Sequence, residues 1–246
     1  MAPLGSPGTI IMIFTIAPDE ESLASALADR LIVEIQAALA HTRPLRIALA
    51  GGSTPHRLYE ELGRHAATLP WQALEIFFSD ERAVGPQDPA SNYRLAYLPW
   101  LSKAPPGTLI HRIPGELGAQ AAADAYDDLL GHAVADGQAL DIVLLGFGPD
   151  GHVASLFPGA SLATTRRAEA VPATADRIAR ITLTLPALRA ARRRIIVAQG
   201  VAKADALRAS LAPGAATPLA KLMAQAPVEF WLDRAAGQAL CAHGTS

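Results

Sequence analysis

Short β-branched apolar runs alternate with longer Ala- and Leu-rich stretches along this chain, a pattern that predicts parallel strands joined by helices. Strands are expected near Met12 to Ile16, Leu45 to Ala50, Leu74 to Ser79, Thr108 to Ile113, Asp141 to Gly146, Arg180 to Thr184, Arg194 to Gln199 and Val228 to Leu232. Helices fall between them. The first, about Asp19 to Ala40, opens with Asp19, Glu20 and Glu21 where the helix dipole favours negative charge. Its Leu23, Leu27, Leu31 and Ile35 recur at four-residue spacing. Gly85-Pro86-Gln87-Asp88-Pro89 reads as one long surface turn, and neither an internal repeat nor a low-complexity linker breaks the alternation. Residues 12–240 are therefore expected to form a single α/β domain, with 1–11 as a disordered extension.

At 246 residues, half of them apolar, the chain can bury one sizeable core. A net charge of −2 creates no field that would gather nucleic acid or an anionic membrane, so any anion site must be local. The lone cysteine, Cys241 in the polar tail, excludes an intramolecular disulfide and a multi-cysteine metal cluster and suits a reducing cytosol. The apolar run Ile10 to Ile16 lacks a cationic leader and is followed by Pro18, Asp19, Glu20 and Glu21, so it is neither a signal peptide nor a membrane span. A cytoplasmic protein is expected, with neither nucleic acid nor membrane as partner.

Open parallel sheets bind ligands at the carboxyl ends of their strands, and three such junctions have unusual compositions. In Gly51-Gly52-Ser53-Thr54-Pro55 the glycines permit a tight turn, and Pro55 suits the first turn of a helix whose free N–H groups attract phosphate. A plain turn with Ser or Thr as N-cap reads equally well. Ser79-Asp80-Glu81-Arg82 would by itself be a solvated cluster, but its position beside the other junctions makes Arg82 a fork-shaped donor for an oxyanion or phosphate.

The third junction follows Asp141 to Leu145, where Gly146, Gly148 and Gly151 match G-x-G-x-x-G and Glu169 lies at the distance of a ribose-binding acid. Against dinucleotide binding, Asp150 would face a pyrophosphate, Pro158 stops any helix early, and Glu169 heads a weak segment. What remains is a Gly-rich turn presenting His152, close to Asp150, as a general base. His41, His56, His65, His111, His132 and His243 form no spaced ligand set, so no metal is expected. Ser155 lacks the strained Gly-x-Ser-x-Gly elbow of a nucleophile. Arg180 and Lys203, each an ordinary surface charge alone, would together hold a phosphate with the Ser53 turn. Arg192-Arg193-Arg194 reads as a solvated helix end.

From Met12 to Leu232 these motifs, with Ser91-Asn92, Gly148 to Gly159, Arg180-Ile181-Thr182-Leu183-Thr184 and Gly200-Val201-Ala202-Lys203-Ala204, resemble the 6-phosphogluconolactonase family in content and order. A sister family, the glucosamine-6-phosphate isomerase/deaminases, carries an Asn-Glu-Pro-type segment where this chain has Ser155 to Gly159. It also has Asp-Glu-Tyr in place of Asp80-Glu81-Arg82. The resemblance implies a doubly wound, mostly parallel, Rossmann-like α/β sheet with helices on both faces. It implies no cofactor, and hydrolysis of 6-phospho-D-glucono-1,5-lactone in the pentose phosphate pathway by a monomer or small homo-oligomer. It further implies His152 activating water, Asp150 or Asp80 orienting it, and Arg82 stabilising developing charge. Gly51, Gly52, Ser53, Thr54, Arg180 and Lys203 would hold the phosphate, and Asn92 would shape the pocket. The rivals are an aldose–ketose isomerase/deaminase and a non-catalytic sugar-phosphate sensor, the latter usually carrying a DNA-binding appendage for which no segment is spare.

Overall fold

The computed structural model describes residues 12–133 and 139–241; the expected extension at 1–11 and His243 lie outside them. Strand β1 (Met12–Ala17) leads into α1 (Glu20–Ala37), which Asp19 caps by accepting a hydrogen bond from the Ser22 N–H at 2.8 Å. Then follow β2 (Leu45–Leu49), α2 (Ser53–Arg64), β3 (Leu74–Phe78), β4 (Asp80–Arg82), α3 (Asn92–Tyr97), β5 (Leu109–Ile110) and α4 (Ala119–Ala133). The second half contains β6 (Ile142–Gly146), β7 (Ala168–Val171), β8 (Arg180–Leu183), α5 (Leu185–Ala190), β9 (Arg193–Ala198), α6 (Val201–Leu211), α7 (Pro218–Met223), β10 (Val228–Asp233) and α8 (Arg234–Cys241).

Seven strands form one parallel sheet in the order β1, β10, β9, β6, β2, β3, β5. From β2 the chain steps outward to β3 and β5, then returns to β6 on the other side of β2, so the order reverses between β2 and β6. The helices α1 and α2 pack together, as do α6 and α8. Because the crossovers on the two sides of the reversal run in opposite directions, the right-handed rule puts α1 and α2 on one face and α6 on the other. Both faces being covered, the central strand β6 is apolar throughout: Ile142, Val143, Leu144 and Leu145 are all buried. Each such side chain contributes about 1.5–3 kcal/mol relative to exposure.

Several expectations are corrected. The segment Arg180 to Thr184 is no member of the parallel sheet; β8 pairs antiparallel with β4 and β7 in a separate three-stranded sheet. Glu169 sits within β7 instead of heading a weak segment, and Thr108 to Ile113 shrinks to two residues at the sheet edge. Cys241 ends α8 and is not in a tail. Arg193 and Arg194 belong to β9, not to a solvated helix end. Arg193 is paired with Glu229 and Glu34, and buried Arg194 donates to the carbonyls of Arg189, Ala191, Arg192 and Pro227, satisfying the end of α5 and the strand approaches.

Candidate active site

The crevice where the strand order reverses is the place a doubly wound sheet offers a ligand. At the end of β2, Tyr59 in α2 holds the backbone of Ala50 from both sides, donating to its carbonyl at 2.6 Å and accepting from its N–H at 3.0 Å. The chain then turns through Gly52 at φ 101°, which L side chains rarely adopt, straight into α2. No side chain caps that helix, so the expected alternative of a Ser or Thr cap is not realised, and the N–H groups of its first turn remain for an anion.

Asp80 and Glu81 are both buried and do not pair with Arg82 as a solvated cluster. Glu81 accepts from the N–H groups of Arg82, Asn92 and Tyr93 and from Ser91 Oγ, capping α3. Burial raises its carboxyl pKa, with those four donors opposing. Asp80 Oδ1 accepts from Asn92 Nδ2 at 3.0 Å and Oδ2 from Ser155 Oγ at 2.6 Å. Asn92 in turn fills the space beside Gly51, where an added Cβ would lie 1.9 Å from its Oδ1. Arg82 donates to the Ala90 carbonyl at 2.5 Å, while its buried Nε has no acceptor.

Beyond β6 the Gly-rich turn closes on itself: Gly148 N–H donates to the His152 carbonyl, Gly151 N–H to that of Gly148, and Phe147 bridges Val153. No helix follows before β7, so the geometry that would place a pyrophosphate on a helix N-terminus is absent and the dinucleotide reading fails. His152 Nδ1 lies 2.6 Å from Asp150 Oδ1, the hydrogen bond that assigns its proton to Nδ1 and leaves Nε2 as an acceptor. Burial pushes the Asp150 carboxyl up, but the charge and hydrogen bonds of His152 outweigh this and hold it below its ordinary value. Asp150 is thus the carboxylate hydrogen-bonded to the ring, while Asp80 is engaged with Asn92 and Ser155.

One cavity of about 190 Å³ is lined by Gly51, Gly52, Ser53, Thr54, Asp80, Arg82, Asn92, His152, Arg180 and Lys203. Every site residue expected from the sequence is there except Asp150, which touches it through His152. Arg180 Nη1 stands 3.9 Å from Asp80 Oδ2 and 3.5 Å from Ser155 Oγ. Its pKa is lowered first by burial and then by repulsion from Arg82; burial likewise lowers Lys203, with Asp150 partly compensating. The cavity therefore holds more cationic than anionic side chains, an arrangement that an entering anion relieves. Buried Ser155 donates its hydroxyl to Asp80 and is not among the residues lining the cavity. Among the described residues no group of three His, Cys, Asp or Glu could hold a metal ion, and no helix is long and apolar enough to cross a membrane.

This arrangement can be compared with known proteins. The family model described as glucosamine-6-phosphate isomerases/6-phosphogluconolactonase matches residues 18–231. The chain belongs to this family. It is 35% identical to the 6-phosphogluconolactonase of Nostoc sp. over 92% of this chain and 97% of that one. With the Mycobacterium tuberculosis 6-phosphogluconolactonase the identity is 34%, over 92% and 97% of the two chains. The structure named 6-phosphogluconolactonase from Trypanosoma cruzi superposes with a TM-score of 0.83 at 28% identity, covering 95% of this chain and 98% of that one. Within this family fold, two parts of the site escaped the sequence pattern. Tyr59 carries no signal beyond helical periodicity, and Arg177, whose guanidinium lies 3.6 Å over the Phe157 ring, sits in the short loop between β7 and β8.

Proposed function

We propose that this chain opens 6-phospho-D-glucono-1,5-lactone with water, yielding 6-phosphogluconate in the pentose phosphate pathway. The observation that carries the reading is the His152–Asp150 hydrogen bond at the mouth of a cavity rich in cations. His152 Nε2 takes a proton from water as the water oxygen bonds to the lactone carbonyl carbon. Arg82 stabilises the resulting oxyanion, and the proton passes to the ring oxygen as the C–O bond breaks. Asp150 keeps the imidazole in the required tautomer. The free N–H groups of α2 with Ser53, Arg180 and Lys203 hold the phosphate, and Asn92 fixes Asp80 at the wall.

A lactone is an activated ester, so a general base and an oxyanion donor, each worth roughly 10² to 10³, suffice without a covalent intermediate. Residues 12–240 act as one cytoplasmic catalytic domain, as a monomer or small homo-oligomer.

The test is proton release during hydrolysis of freshly prepared lactone by wild type and His152→Gln, with the spontaneous rate subtracted. The variant should lose about 10² to 10⁴ in kcat with little change in KM, and a folded variant retaining most of wild-type kcat refutes the role. Ammonia release from an amino-sugar phosphate would instead favour the isomerase/deaminase reading.

A further inference from the structure

The Asp150 hydrogen bond determines which nitrogen of His152 carries the proton, but one contact does not fix the plane of a ring with two free torsions. The plane is set elsewhere. Phe157 lies with its ring centroid 4.6 Å from that of His152, the two planes tilted by 45°. Unlike its neighbour Leu156, Phe157 is only half-buried and takes no part in the hydrophobic core. It meets instead an imidazole and two guanidiniums, that of Arg177 at 3.6 Å from its centroid and that of Arg180 at 5.6 Å.

Arg177 is itself braced. Thr174 and Arg177 exchange backbone hydrogen bonds across the loop between β7 and β8. Its buried Nε has no acceptor, so the ring face is where the guanidinium charge is accommodated. Arg180 also has Ser155 Oγ at 3.5 Å and Asp80 Oδ2 at 3.9 Å, contacts that the phosphate end keeps when the Phe157 ring is removed.

We propose that Phe157, steadied by Arg177, is a positioning residue that sets the plane of His152 and keeps Nε2 aimed at the attacking water. The inference rests on the assignment of His152 as general base. Loss of the ring leaves the base present and correctly protonated but free to rotate, so the chemical step suffers and substrate binding does not. Misplacing a reacting group by about 1 Å costs on the order of 10²-fold in rate.

The experiment measures kcat and KM by lactone-driven proton release for Phe157→Ala, Phe157→Leu, Phe157→Tyr, Arg177→Met and His152→Gln, with circular dichroism to establish folding. Phe157→Ala should lose about 10- to 100-fold in kcat with KM within about threefold, and Phe157→Tyr, which restores a ring, should recover to within about threefold of wild type. Arg177→Met should lose a smaller factor, again in kcat. Values of kcat within twofold of wild type for Phe157→Ala and Arg177→Met, or losses confined to KM, overturn the proposal. Should Phe157→Ala fail to fold, Phe157→Leu and Arg177→Met decide by the same criteria. An active His152→Gln would sink the general-base assignment itself, whereas an inactive His152→Gln beside a fully active Phe157→Ala sinks only the positioning role.

Discussion

Replacing Gly148 by Ala adds one methyl group to the Gly-rich turn, directly against His152. The new Cβ would lie 2.0 Å from His152 Nδ1, 2.1 Å from its Cε1 and 2.7 Å from Asp150 Oδ1. Gly148 does not have a positive φ, so alanine meets no left-handed backbone strain and the methyl contacts dominate the perturbation. Carbon contacts are optimal near roughly 3.5 Å, so the ring must retreat by about 1.5 Å or rotate away, which breaks its 2.6 Å bond to Asp150. With about 10²-fold lost per ångström of misplacement, kcat should fall by about 10² to 10³, a barrier increase of about 2.7–4 kcal/mol. KM should hold, because none of the groups assigned to the phosphate is among the atoms that the new Cβ would meet. Proton release from the phosphorylated lactone measures both constants. Gly85→Ala is the control, since nothing lies within 4 Å of its added Cβ. A folded Gly148→Ala enzyme with kcat within threefold of wild type would refute the geometry on which the mechanism stands. Gly151→Ala differs in kind: φ is +81° and the Cβ would meet Thr217 Cγ2 at 2.8 Å, so folding and activity should fall together.

Two further outcomes are expected. Lys203→Ala should raise KM for the phosphorylated lactone by about 10- to 100-fold, the worth of one charge-assisted contact, and leave unphosphorylated gluconolactone nearly unaffected; an equal effect on both lactones would remove Lys203 from the phosphate site. Asp141 accepts both guanidinium arms of Arg43, at 2.6 and 2.8 Å, and although burial pushes its carboxyl up, Arg43 and the Arg46 N–H bring it below its ordinary value. A depressed folded-state pKa contributes stability that is present above the unfolded value and lost as pH falls through the folded one. Asp141→Asn should therefore cost about 1–2 kcal/mol at neutral pH, solvent screening of the partly exposed pair included, with the gap to wild type closing in acid; thermal melts that stay equally separated at low pH would contradict this.

The parallel sheet was legible because its central strands are largely buried on both faces and read as short apolar runs, the clearest being Ile142 to Leu145 between turn residues. The loops at the strand ends were legible for a related reason: a Gly-rich turn before an uncapped helix, or one presenting a histidine, has few purely structural explanations. The small antiparallel sheet was not. Asp80-Glu81-Arg82 has no apolar alternation, and its strand conformation comes from pairing with β8, far away in sequence. The burial of Glu81 depends on donors that α3 supplies only once folded.

Arg192-Arg193-Arg194 teaches the same lesson, since a charge triplet reads as solvated until β9 brings Glu229, Glu34 and the carbonyls around α5 within reach of its members. The sequence by itself thus determined which residue types meet at the carboxyl edge of the sheet, because strand order and turn chemistry place them there. Tertiary structure alone decided who partners whom at longer range: Asp80 with Asn92 and Ser155, Phe157 with Arg177. The physical reason is range. Periodicity and turn propensity act within a few residues, whereas a hydrogen bond or ring contact depends on ångström-scale placement of groups that separate elements of the chain deliver.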